Sequence, residues 1–127
     1  MQGKHLFEYA VIRVVPRVER EEFMNVGVIL YCAGMRFLGF KFIVDLPKIQ
    51  VFAAKTDPQE IIANLEAIEK ICCGGAIGGP IGQLDLASRF RWLTATRSTV
   101  VQASKVHPGF CLEPNETLAK LFEDLVL

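Results

Sequence analysis

Six of the seven arginines in the chain fall in two short segments. Arg13, Arg17 and Arg20 form the first, and Arg89, Arg91 and Arg97 the second, while the lysines are scattered. A guanidinium is a planar fork of donors that takes carboxylate or phosphate oxygens in pairs. If the two segments meet in space they frame an anion site, with Asn25, Ser98 and Gln102 as neutral donors. Arg13 is the most telling member, because it interrupts an apolar strand, where a charge must be paired or lie at an edge or cleft. The competing reading is that Glu19, Glu21 and Glu22 neutralise their neighbours in exposed ion pairs. Such pairs contribute about 0–1 kcal/mol each and need no ligand.

The other reactive residue types form no complete constellation. His107, in Val106-His107-Pro108-Gly109, is the one residue placed to carry a proton. To act as a base with Ser98 or Cys111 it would also need an orienting acid. Trp92 sits among Arg89, Phe90 and Arg91, a mixture that can stack on single-stranded bases. Fourteen basic residues balance fourteen acidic ones, however. That balance supplies no field to steer nucleic acid or an anionic membrane and favours Trp92 as a core anchor. Cys32, Cys72, Cys73 and Cys111 lack the C-x-x-C spacing of a zinc site. Glu8, Glu19, Glu22, Asp45 and Asp85 lack the spacing of a divalent-metal site. Residues 74–82 hold five glycines and a proline. Ile81-Gly82-Gln83 stands where a phosphate loop needs lysine and a hydroxyl residue, so the stretch reads as a flexible connector. No cofactor is expected.

The elements that must position these residues are legible in outline. A length of 127 residues and 51% hydrophobic content suit one domain, 1–127, with a real core. The N-terminus lacks the pattern of a signal peptide, and no apolar run is long enough to span a membrane. The expectation is therefore a cytoplasmic protein with reduced thiols. A mean hydropathy of +0.32 is high for such a chain and suggests apolar surface covered by a partner or a second copy. Leu6–Val15, Asn25–Cys32 and Arg36–Val44 read as strands of an antiparallel meander joined by short connectors. Asp57-Pro58-Gln59-Glu60 is a helix start, and Ile61, Leu65, Ile68 and Cys72 form one apolar stripe behind it. Ser98–Ala103 reads as a fourth strand. Glu113-Pro114 opens a last helix with Leu118, Leu121, Phe122 and Leu125 on one side. The order β-β-β-α-β-α predicts an α+β domain, with helices packed on one face of a mostly antiparallel sheet.

Two segments taken together, YAVIRVVPRVEREEFMNVGV from Tyr9 to Val28 and RFRWLTATRSTVVQ from Arg89 to Gln102, resemble the bacterial family catalogued as domain of unknown function 3037. The likeness extends to the Leu65 helix, Gly79-Pro80, Val106-His107 and Leu121-Phe122, nearly the whole chain. The family pattern carries glycine where Glu21 stands, and often proline where Thr96 stands. The resemblance implies no catalytic residues. It does imply a context, since such proteins are often encoded beside HipA-like kinases, in the manner of a toxin–antitoxin accessory. The leading expectation is a non-enzymatic interaction domain whose partner is such a kinase or the chain itself. The alternative is a small enzyme or a binder of an anionic, phosphate-bearing molecule, with the arginines as clamps.

Overall fold

The computed structural model describes residues 3–97 and 99–127. Three strands form the expected meander: β1 (His5–Val14), β2 (Met24–Cys32) and β3 (Phe37–Phe42). Alternation along β1 sends Ala10, Ile12 and Val14 to one apolar cluster, and Phe7 with its same-face neighbour Tyr9 to another. Cys32 leads into a turn at Ala33–Met35, which Arg36 closes in the left-handed region at φ 50°.

The rest of the chain carries elements beyond the order β-β-β-α-β-α. Helices α1 (Leu46–Phe52), α2 (Pro58–Cys73), the single turn α3 (Gly79–Gly82) and α4 (Leu86–Leu93) lead to β4 (Val101–Ala103), β5 (His107–Cys111) and α5 (Pro114–Leu125). Side chains cap the starts. Asp45 accepts from the Lys48 amide, Asp57 from Gln59 and Asp85 from Ser88, each cap worth about 1 kcal/mol.

The sheet is antiparallel, in the order β3-β2-β1-β4, with β5 also paired to β1. Two irregularities set its register. Val26 is an extra residue between the pairs Ile12↔Gly27 and Arg13↔Asn25. On the other side of β1, Ser104–Val106 bulge between β4 and β5. There the Ser104 hydroxyl accepts from the Val11 amide at 2.8 Å, replacing a ladder bond.

The fold is α+β, as expected, but its helices are not confined to one face. Ile49, Ala53, Ile61, Leu65, Phe90 and Leu93 bring α1, α2 and α4 onto the face of Ile12 and Ile29. Leu118 and Phe122 of α5 instead close the opposite face over Val28, Leu30 and Cys32. The physical reason is that both faces of β1 and β2 carry apolar residues, so each needs a cover. β5 was the other surprise, because Pro108-Gly109 reads as a turn. On an edge strand, proline is tolerated. Gly109 lies under the Phe7 ring, where an added Cβ would stand 2.6 Å from Phe7 Cζ.

Candidate functional site

Arg13 lies on the opposite face of the sheet from Arg89 and Arg91. Arg13 has the strand parity of Phe7 and Tyr9, the face that α5 partly covers, and its register neighbours are Asn25 on β2 and Gln102 on β4. Arg89 and Arg91 belong to α4, which packs on the other face through Phe90. For Arg13, Arg89 and Arg91 the expectation of one shared anion site is corrected by this alternation, because residues on opposite faces of a sheet cannot share a cleft.

Each arginine has its own local role. Arg17 Nε donates to Glu19 at 2.9 Å, and Arg20 pairs with Glu22. A hydrogen bond from the Glu19 backbone, and after it the Arg17 guanidinium, hold the Glu19 carboxyl below the usual range. Arg91 donates to both Glu8 oxygens, at 2.8 and 3.0 Å. Arg97 donates to the Trp92 carbonyl and lies over the Trp92 ring, 4.1 Å from its centre. Trp92 is therefore not the core anchor suggested by its surroundings; it is 42% exposed, and Phe90 fills the core instead.

Arg89 is buried and structural. Its Nη1 donates to the Ile71 and Cys72 carbonyls, both at 2.9 Å, and its Nε donates to Leu84 O at 3.0 Å. It thus satisfies carbonyls that the end of α2 leaves without helical partners. Gly74, at φ 80°, lets the chain turn over it, since a Cβ there would stand 2.5 Å from Nη1.

Arg13 is the unusual one. Its guanidinium stacks on Phe23 at 3.9 Å, and burial lowers its pKa. Among the described residues no carboxylate pairs with it, and its Nε and the neighbouring Asn25 Oδ1 are buried without hydrogen-bond partners. Asn25 Nδ2 donates to Leu125 O at the end of α5. Gln102 donates to Thr99 O, and Ser98 lies outside the described residues.

His107 is exposed at the start of β5, its ring 5.3 Å from that of its cross-strand partner Tyr9. It stands four positions from Cys111, about 13 Å along a strand, too far for a catalytic pair. Burial beside Cys32 pushes the Cys111 thiol up, and burial pushes Cys72 up to about 12. Neither is a ready nucleophile. Among the described residues no three His, Cys, Asp or Glu side chains gather as metal ligands, and no helix is long and apolar enough to cross a membrane.

Two surface features lie at opposite ends of β1. Leu6 and Phe110 are cross-strand partners at the open start of β1, 56% and 62% exposed, and Leu112 follows beside Gly3 at 63%. Arg91, pairing with Glu8, marks where the helical cover stops. The register that brings Leu6 against Phe110 is non-local, and sequence reasoning missed it. At the other end of β1, Arg17 and Arg20 border a cleft of about 310 Å³ facing the end of α1.

A family model described as "Protein of unknown function (DUF3037)" matches residues 9–126. No curated protein and no solved structure matches the chain.

Proposed function

The chain belongs to the DUF3037 family of proteins of unknown function, and from that membership we propose that it is a non-enzymatic interaction domain whose partner is a HipA-like kinase. The observation that carries this reading is the apolar set Leu6, Phe110 and Leu112. Large apolar side chains side by side on a sheet face without a helix above them mark contact surface. Covering three half-exposed side chains of this size would contribute roughly 3–5 kcal/mol. Association itself costs about 4–15 kcal/mol, so this set is the apolar centre of a larger interface. Glu8 and Arg91 supply a polar rim. Pro108 has no amide hydrogen to offer an incoming strand at this edge, so the contact is made through the face.

The test is co-expression with the kinase, followed by calorimetry on the purified partners. A one-to-one complex is expected, weakened at least about tenfold by Leu6→Ser with Phe110→Ser. A complex indifferent to the double substitution would remove this face from the interface. A free chain that sediments well above 14.2 kDa, and returns to that mass in the double variant, would make a second copy the partner instead of the kinase.

A further inference from the structure

We infer that the cleft between the connector after β1 and the end of α1 binds a small organic anion: one oxyanion group carried on an apolar body. The site is distinct from the docking face. β1 runs from Leu6 at that face toward Arg17 at the cleft, and ten strand residues span about 33 Å. The failure of either reading therefore leaves the other untouched.

Cations reach the cleft from two separate elements. Arg17 and Arg20 come from the connector, and Lys55 from the turn that follows α1. Each arginine engages its glutamate through Nε, and among the described residues its Nη groups make no hydrogen bond. The Nη1–Nη2 end of each fork is thereby left to take two oxygens of a carboxylate or phosphate in parallel. Exposed pairs such as Arg17–Glu19 and Arg20–Glu22 contribute only about 0–1 kcal/mol. They present no barrier to an oxyanion that gains two guanidinium groups and an ammonium. Their effect is to orient the forks.

The remaining wall is apolar. Val51 and Phe52 border the cleft, and Val51 is 85% exposed, the most exposed of the large apolar side chains described. A volume of about 310 Å³ lies at the lower end of small-molecule sites, which run from about 300 to 1,000 Å³. Thr56 also lines the cleft. Glu22 on the rim sets the size of the charge. With Glu19 and Glu22 each paired to an arginine, the three cations leave one net positive charge, which suits one compact anion and disfavours an extended polyanion. Glu21, between Arg20 and Glu22, holds a left-handed φ of 57°. Such conformations gather where a binding loop has been fixed in shape.

The test uses phenyl phosphate, benzoate and inorganic phosphate as probes against the whole chain, followed by calorimetry and by amide shifts. One of the two aromatic anions should saturate the site at least about tenfold more tightly than inorganic phosphate, and which one does so identifies the oxyanion. Arg17→Gln with Arg20→Gln should weaken it at least about tenfold, the loss of one good charge-assisted contact. Val51→Asn, which removes apolar wall without adding charge, should weaken the aromatic anion more than inorganic phosphate, and Lys120→Gln should change nothing. All four positions are exposed, so the variants are expected to fold, and circular dichroism checks this. Absence of saturation by both aromatic anions, or an arginine double variant that binds like the parent, would overturn the assignment. So would inorganic phosphate binding as tightly as the aromatic probes.

Discussion

Replacing Arg89 by alanine is expected to destabilise the chain by about 3–5 kcal/mol, among the large losses that follow from breaking a buried hydrogen-bond network. The figure follows from what the side chain holds. Three charge-assisted bonds to Ile71, Cys72 and Leu84 would sum naively to roughly 5–9 kcal/mol at 1.5–3 each. Two effects reduce that sum. Burying the cation has its own desolvation cost, and water can enter the vacated space to reach some of the carbonyls. Against a total stability of about 5–15 kcal/mol, the loss is large. Arg89→Lys keeps the charge but has one nitrogen where two separate donors are needed, so it should fall between alanine and the parent. Arg91→Ala, two residues on, breaks only the exposed pair with Glu8 and should cost about 0–1 kcal/mol. Urea unfolding followed by circular dichroism measures all three. A further check is Gly74→Ala. Its Cβ would collide with Nη1, so this substitution should cost clearly less in the Arg89→Ala background than in the parent. An Arg89→Ala variant within 1 kcal/mol of the parent, or one less damaging than Arg91→Ala, would refute the assignment of Arg89 as the cap of α2.

Three further outcomes follow from single residues. Glu21→Gly should stabilise the chain by about 1 kcal/mol, because Glu21 adopts φ 57° and glycine enters that region without a Cβ penalty; thermal melts check it. The Cys72 thiol is raised by burial to about 12 from an ordinary value of 9.0. The unfolded chain therefore releases that proton first, and stability falls as pH rises from 9 toward 12, by up to about 1.4 kcal/mol per unit. Cys72→Ala should lose that part of the alkaline slope in urea titrations at pH 8 and 10.5. Arg13→Met keeps most of the stem packed on Phe23 and removes a donor that has no partner, so it should be neutral or stabilising by about 0–2 kcal/mol; a loss above 1 kcal/mol would mean that the guanidinium has a partner in solution.

What the sequence revealed was local. The α2 start at Asp57-Pro58 and its stripe Ile61, Leu65, Ile68 and Cys72 need only neighbours four residues apart, and they stand where the pattern put them. The first three strands were legible because alternation and short connectors are also local. The stripe of α5 was visible, but the face it would cover was not, because that depends on Val28 and Leu30 also needing a lid. β5 was hidden because Gly109 is required by a ring a hundred positions away. The arginine segments misled for the same reason. Clustering along the chain says nothing about sheet parity, and the carbonyls that Arg89 serves lie up to eighteen residues upstream. The special position of Glu21 was visible only through the family resemblance, and its left-handed backbone supplies the reason.

β1 is hydrogen-bonded to β2 on one side and to β4 and β5 on the other, and its residues are divided between two cores. Losing one residue anywhere between Phe7 and Ile12 would turn part of the strand over, exchanging the contents of both cores at once. The molecule has little tolerance for a length change there. Its slack lies elsewhere, in the bulges at Val26 and Ser104–Val106 and in the glycine-rich turns between α2 and α4. Relatives that differ in length should differ at those points, and loop insertions for labelling or tethering belong there as well.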